Sequence, residues 1–347
     1  MYILLIGLVA IVLFIYYRFK YSKKIQVSIT SKVSPVDSNF NWKSQQPLKI
    51  RPFIGKTNFN PSIGLKNITS TPEDWLLIEN TYLKNIKVRK SSIENNQSKV
   101  LYIHEDIKAK LALAEFFQIV CQFLLSRYPK YFKLKNGIIH NLITNESFSI
   151  NESNSIEILK ILGSNIEEDF LIMFKEDEDS EYRVKSSFTG FPAGFDPSIN
   201  YNKTISYIHK PVPQYNKLKF SMNKFFNNIK SQNLWVRFNW SIQTHSNLFT
   251  FNNHGRPGET MKKLNRKDID FANGCFLRNE RQCFIRLPKS NALVMTIRTY
   301  LTSMENIKNE EKIGNELIFA IDNLPDDLAY YKKRHEWGDA LKEYLND

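Results

Sequence analysis

Two consecutive stretches in the last third of the chain alternate between apolar and polar side chains, and they constrain the fold more than any other feature. The stretches are residues 275–287 and 292–301. Alternation over this length is typical of β-strands, whose successive side chains point to opposite faces of a sheet. Because the stretches follow each other closely, they predict a β-hairpin.

Polar side chains gather on the faces of this predicted hairpin. On the first strand Arg278 and Glu280 share one face, and Arg281 lies on the other. On the second strand Arg298 and Tyr300 share a face. Converging groups of this kind suit an anionic ligand. A solvated ladder of salt bridges is the alternative.

Helical and strand patterns alternate along the rest of the chain. Apolar residues recur at intervals of three and four, or follow helix-start residues, in six predicted helices. They lie at residues 71–89, within 105–131 with an end before Pro129, and at 155–161, 218–229, 310–321 and 326–344. Strands are predicted within residues 138–150, as strand, turn and strand, and at residues 168–174, 182–188 and 234–242. This mixed order of helices and antiparallel strands predicts an α+β fold.

The chain begins with an uncharged apolar segment, residues 1–17. As a helix it would extend about 25 Å, slightly less than a hydrocarbon core of about 30 Å. Basic residues follow at once, and by the positive-inside rule they keep the following chain in the cytosol: Arg18, Lys20, Lys23 and Lys24. The segment predicts a single-pass transmembrane helix in a lipid bilayer, with a soluble domain that faces the cytosol. Its short length favours a thin membrane such as the endoplasmic reticulum.

A cleaved signal peptide is the alternative interpretation of residues 1–17. No basic region precedes the apolar run, and no small-residue cleavage site follows it. We therefore assign residues 1–17 to an anchor, residues 18–70 to a basic flank and linker, and residues 71–347 to the functional domain. The linker is polar and lacks sustained periodicity.

Charge and cysteine content exclude some partners. The formal net charge is +13, but the basic residues are spread thinly along the chain, so we predict no nucleic-acid partner. Three irregularly spaced cysteines are too few for a disulfide framework or a structural zinc site, and they fit a reducing compartment.

His209 is a candidate metal ligand. Pro211 disfavours helix at Lys210, so a preceding helical turn is expected to end near His209. A neutral imidazole at a rigid helix end can bind iron while a second-shell acceptor fixes its other nitrogen. A partly buried histidine that caps a turn is the alternative.

Phosphate-binding loops and zinc-protease motifs do not occur in the sequence. Without a phosphate-binding loop the chain is not expected to bind a pyridine nucleotide, so electrons for any redox reaction would come from another protein.

Short motifs occur in a shared order between Trp75 and Tyr344. They are Trp75 with Tyr82-Leu83, Arg127-Tyr128-Pro129, Ile-His-Lys-Pro-Val-Pro at 208–213, Asn239-Trp240-Ser241, Arg-Asn-Glu-Arg-Gln at 278–282, Arg-Leu-Pro-Lys-Ser at 286–290, Ile-Arg-Thr-Tyr at 297–300 and Trp337-Gly338. Together they resemble the α-subunit of heme-dependent oxidative N-demethylases, a family that includes a dimethylamine monooxygenase subunit. Two places differ from the family pattern: residues 189–194 replace Cys-Phe-Pro-Ser, and Thr244-His245 replaces an acidic pair.

The resemblance implies a PAS-like antiparallel sheet with flanking helices that binds heme b. It implies oxidation of an N-methyl amine with O2 to an imine, which hydrolyses to formaldehyde. The electrons would come from a separate NAD(P)H-dependent reductase that carries flavin and an iron–sulfur cluster. A small amine would be the substrate.

The resemblance also implies roles for individual residues. His209 is the expected axial iron ligand, and Glu280 is the expected catalytic carboxylate beside a cationic amine. The candidates for cofactor binding are Arg278, Arg281 and Arg298, for propionate or structural pairing, and Tyr207 and Tyr300, for the pocket wall. A PAS-like sensor of heme or another ligand, and a heme-free scaffold tethered to a membrane, are the alternative functions.

Overall fold

The computed structural model describes residues 28–56, 62–177 and 180–347, and it has an α+β fold. A large antiparallel sheet has the strand order β1-β8-β9-β10-β6-β7-β2. Its strands are β1 (Lys66–Asn67), β2 (Leu101–Ile103), β6 (Asp169–Phe174), β7 (Arg183–Phe188), β8 (Trp235–Gln243), β9 (Phe276–Arg286) and β10 (Leu293–Ser303). A small sheet contains β3 (Phe132–Lys135), β4 (Ile138–Asn141) and β5 (Glu146–Ser149).

The α-helices lie before, between and after the strands. They are α1 (Tyr82–Val100), α2 (Ile107–Arg127), α3 (Ser155–Asn165), α4 (Ile205–Ile208), α5 (Tyr215–Asn228), α6 (Met304–Lys308), α7 (Ile313–Asp322), α8 (Asp326–Tyr331) and α9 (Arg334–Asn346). Short 3-10 helices are found at Ile29–Lys32, Pro72–Asp74, Pro197–Asn200 and Arg266–Asp268.

The predicted hairpin is confirmed. Strands β9 and β10 pair in register along their whole length, from Phe276 opposite Ser303 to Arg286 opposite Leu293. Each strand has neighbours on both sides, with β8 beside β9 and β6 beside β10. The hairpin therefore forms the centre of the large sheet.

Helix α2 packs against one face of this sheet. Its apolar side chains recur at helical spacing, and Phe116, Phe117 and Phe123 are completely buried. Phe116 contacts Phe170 of β6 with ring centroids 4.9 Å apart, and Phe123 packs edge-on against Trp75 at 5.3 Å. Burial of side chains this large stabilises the fold by about 1.5 to 3 kcal/mol each. We call this side of the sheet the core face.

The helix predicted at residues 71–89 is wrong over its first half. A 3-10 turn at Pro72–Asp74 is followed by non-helical chain, and α1 begins only at Tyr82. Several backbone groups of this connecting segment bond to side chains from distant elements. Leu76 accepts a hydrogen bond from the hydroxyl of Tyr128 at 3.0 Å, and Leu77 accepts one from Arg298 at 2.6 Å.

Part of the segment assigned to the linker packs on the domain. Trp42, Ile50 and Phe53 are buried, and Arg51 forms a two-pronged ion pair with Glu310. Strand β1 also extends the large sheet. Residues 28–56 thus contribute to the core. Their few large apolar side chains are spaced too irregularly to show a periodic pattern, so the sequence pattern did not indicate this packing.

The predicted transmembrane helix, residues 1–17, lies outside the described residues. Within the described part of the chain, α2 is the one helix long and apolar enough to cross a membrane. Its side chains form the centre of the core, which explains its composition without a membrane.

Candidate functional site

The second face of the large sheet differs from the core face in its accessibility. On the core face of β10, the side chains of Val294, Thr296 and Arg298 are at most 1% exposed. On the opposite face, side chains in the middle of the sheet keep accessible surface: Arg237, Asn239, Glu280, Met295 and Ile297. An antiparallel sheet commonly packs one face on the core and leaves the other accessible to solvent or a ligand. We call this side of the sheet the open face.

Helices α4 and α5 cover one end of the open face. Ile205 and Phe226 pack in one apolar cluster with Phe284 of β9 and Leu293 of β10. This packing places the C-terminal end of α4, and therefore His209, over the sheet.

His209 caps the end of α4, as the sequence predicts. Its Nδ1 lies 2.9 Å from the carbonyl oxygen of Ile205, and its ring stacks on Tyr215 with centroids 4.9 Å apart. Burial, with a smaller contribution from the nearby charge of Arg237, lowers the pKa of His209. A neutral imidazole whose Nδ1–H donates to Ile205 leaves the Nε2 lone pair available. Nε2 has no hydrogen-bond partner among the residues that the structure describes.

Arg237 lies on the open face near His209 and Glu280. It is half-buried, and its Nε is fully buried without a hydrogen-bond partner. Burial lowers the pKa of Arg237, and the charge of Glu280 opposes that shift. None of its guanidinium nitrogens forms a hydrogen bond or an ion pair with another described residue.

Glu280 is the acidic side chain on the open face of strands β8, β9 and β10. Its carboxylate accepts a hydrogen bond from Gln282 at 2.9 Å and a longer one from Asn239 at 3.5 Å. Lys332 lies close enough for their charges to interact. The Lys332 ammonium donates to the carbonyl of Trp240, and burial lowers the pKa of Lys332 to about 8.

Arg278 shares the open face but already has protein partners. Its guanidinium donates to the carbonyl of Phe191 at 2.7 Å and to the side chain of Gln243 at 3.2 Å. Gln243 in turn accepts a hydrogen bond from Asn253, which contacts His245 at 2.8 Å. Arg278 therefore ties two loops to the sheet, and its exposed fraction is only 1%.

The structure does not bring Arg281, Arg298 and Tyr300 to this site. All three lie on the core face, as strand alternation requires. Arg281 donates to the carbonyls of Asp74 and Trp75. Of the two roles considered for Arg281 and Arg298, propionate pairing and structural pairing, the contacts are those of structural pairing.

Arg298 is the centre of a buried charge cluster. It donates a hydrogen bond to Glu79 at 2.6 Å and forms an ion pair with Glu167 at 2.7 Å, and Glu168 lies 3.6 Å away. The hydroxyl of Tyr300 donates to Glu79 at 3.4 Å. Burial raises the pKa of Glu167 to about 7, although Arg298 acts in the opposite direction.

Tyr207 lies on α4 but points largely away from the sheet. It is 52% exposed, and the ammonium of Lys203 lies 5.2 Å from its ring centroid. A role in a pocket wall therefore stays a prediction.

The donor set of the open face tests whether a heme fits. The described residues contain no group of three or more histidine, cysteine, aspartate or glutamate side chains that could hold a metal ion. A bare metal ion needs several protein ligands. Heme iron brings four nitrogen ligands of its own and needs only an axial one, such as the free Nε2 of His209. An unpaired arginine beside that histidine suits the propionates, so the residues present fit a heme.

A surface groove lies elsewhere on the molecule. It has a volume of about 1420 Å³ and is lined by α2 together with the turns of the β6–β7 and β9–β10 hairpins. A second groove of about 660 Å³ adjoins it. Neither groove is lined by His209, Arg237 or Glu280, so the chemistry-bearing groups lie outside these two grooves.

Two side chains of the site were not among the residues singled out from the sequence. Arg237 had a usable signal, because strand alternation places it on the same face as Asn239 in an otherwise aromatic strand. Lys332 had none, since it reaches Trp240 from a helix end 92 residues further along the chain.

Comparison with known families gives a match over most of the chain. The family model described as "Haem-dependent oxidative N-demethylase, alpha subunit-like" matches residues 64–342. The match includes every residue of the open face described above.

Proposed function

Because the chain belongs to the heme-dependent oxidative N-demethylase alpha-subunit-like family, we propose that it binds heme on the open face and oxidatively removes a methyl group from an N-methyl amine. The observation that carries this proposal is the free Nε2 of His209, held in place by the Nδ1 contact with Ile205. Family membership supports heme dependence and an oxidoreductase function.

His209 would hold the iron through Nε2. Its ring cannot turn freely, since Tyr215 stacks on it and Ile205 fixes Nδ1. When bound, the heme, expected to be heme b in a PAS-like fold, supplies an iron centre that activates O2. The covering helices α4 and α5 exclude water from this end of the open face.

Glu280 is our candidate for amine recognition. It is the acidic group on the open face of β8, β9 and β10, and the side-chain amides of Gln282 and Asn239 hold its carboxylate in position. A carboxylate in a partly buried site stabilises the ammonium form of an amine and can accept its proton at an Oε atom. Lys332 and Arg237 moderate this charge, so Glu280 would attract the amine without binding it too tightly.

The source of the electrons and the location of the protein in the cell complete the proposal. A separate NAD(P)H-dependent flavin and iron–sulfur reductase would supply the electrons, because the sequence has no dinucleotide-binding motif. Residues 1–17 would anchor the chain in a membrane with the domain in the cytosol.

The proposal is tested by the absorption spectrum of the full chain in detergent, expressed with a supply of heme. We expect a Soret band that is shifted or lost in His209→Ala and restored in part by added imidazole. His140→Ala is the matched control, because His140 lies on the small sheet and its substitution should leave the band unchanged.

Formaldehyde release from N-methyl amines, with an electron donor present, then tests turnover. A chain that stays colourless after hemin is added would overturn heme binding. Bound heme without amine oxidation would favour a sensor instead.

A further inference from the structure

We propose that Arg237 pairs with a propionate of the bound heme and so fixes the orientation of the macrocycle on the open face. This inference rests on the proposed function. It assigns a specific charge contact to a residue that has no hydrogen-bond partner in the described part of the chain.

The first support is the contrast between Arg237 and the other arginines of strands β8, β9 and β10. Arg278, Arg281, Arg286 and Arg298 each donate at least two hydrogen bonds to protein acceptors. Arg237 donates none to the described residues, and its Nε is buried. Leaving a buried polar group unsatisfied is unfavourable, and more so for a charged group. The Nε of Arg278 is also buried without a partner, but its two terminal nitrogens donate to protein acceptors. Arg237 is the one arginine of these strands with no hydrogen bond to a described residue, which points to an external acceptor.

The second support is the position of Arg237. It lies on the same open face as Glu280 and close enough to His209 for its charge to act on that imidazole. A ligand held by His209 would therefore present its acidic substituents within the neighbourhood of Arg237. Glu280 does not satisfy the guanidinium, because no hydrogen bond or ion pair joins the two side chains; the hydrogen bonds of Glu280 come from Gln282 and Asn239.

The third support is the chemistry of the side chain. A guanidinium presents a planar fork of donors that matches both oxygens of a carboxylate, whereas an ammonium acts as a point charge. Heme carries two carboxylates at one edge and none at the other. One arginine on one side of the iron ligand is thus enough to distinguish the two ways in which the macrocycle can enter.

The experiment compares two ligands that differ only in these carboxylates. Hemin and hemin dimethyl ester are titrated into the apo form of the full chain in detergent, and the Soret change gives each dissociation constant. For the wild type we expect hemin to bind about ten- to a hundredfold more tightly than the ester, the range of charge-assisted hydrogen bonds. In Arg237→Met this preference should fall to near unity, while affinity for the ester stays the same. Arg237→Lys should keep an intermediate preference.

Arg256→Met is the matched control, since Arg256 has an exposed side chain away from the sheet. It should keep the full preference for hemin. Equal binding of the two ligands by the wild type, or a full preference in Arg237→Met, would overturn the assignment of Arg237 and leave heme binding intact. An equal loss of both ligands in Arg237→Met would also overturn it, because it would indicate a structural role. If neither ligand binds the wild type, the proposed function itself fails.

Discussion

At the scale of single residues, the surroundings of a charged side chain decide its role more than its type does. Arg278 and Arg281 are three positions apart on β9 and both are buried, yet they lie on opposite faces and bind different parts of the chain. Arg237, on the neighbouring strand, has no hydrogen-bond partner among the described residues. The same residue type thus serves as a loop tether, a backbone clamp and, in our proposal, a ligand-binding group.

Glu167 gives a residue-scale prediction about pH. Burial raises its pKa from 4.5 to about 7 in the folded protein, so the folded state binds the proton more tightly than the unfolded state does. Its contribution to stability is therefore fully present below about pH 4.5 and is lost as the pH rises through 7.

We expect Glu167→Gln to remove this dependence. The glutamine oxygen can still accept the hydrogen bonds that Thr81 and Asn85 donate. Between pH 5 and pH 8, the free energy of unfolding of the wild type should fall relative to the variant by about 2 to 3 kcal/mol. Urea unfolding at the two pH values measures this difference in the free energy of unfolding. Parallel pH curves for the two proteins would contradict the prediction.

At the scale of elements, Arg298 joins the connecting segment before α1 to the start of β6. It bonds the Leu77 carbonyl and Glu79 on the segment, and Glu167 just before the strand. Three buried carboxylates surround this one guanidinium. Without it they would be left with uncompensated charge in a region of low polarity.

Arg298→Met should therefore destabilise the protein by about 3 to 5 kcal/mol, the usual cost of breaking a buried ion pair from one side. Arg298→Lys should lose less stability, since lysine keeps the charge but cannot reach all the acceptors. Lys160→Ala serves as the control, because its ion pair with Glu157 is on the surface and is worth about 0.5 kcal/mol or less. Urea midpoints of the three variants test this order, and an Arg298→Met protein as stable as the control would refute it.

At the scale of the whole molecule, local sequence patterns predicted the fold well where a pattern lies within one element. The β9–β10 hairpin, α2 and the turn that ends at His209 are all of this kind. The failures have a common physical cause. The segment before α1 is held open by side chains from distant strands, and Lys332 reaches the site from the C-terminal region. Contacts between residues far apart in sequence leave no periodicity in either partner.

The packing of residues 28–56 is another long-range effect. It allows a test of whether this segment is part of the core or a linker. Trp42 is 8% exposed and Phe53 is 2% exposed, and they belong to different apolar clusters of the domain. We expect Trp42→Ala and Phe53→Ala in the full chain each to lower the free energy of unfolding by about 3 to 5 kcal/mol. Leu48→Ala, at a position 42% exposed in the same segment, should change it by about 0.5 kcal/mol or less. Chemical unfolding of the three variants measures these changes. A true linker would give the same small change in the free energy of unfolding at all three positions. A segment that completes two apolar clusters gives a large decrease at the two aromatic positions only.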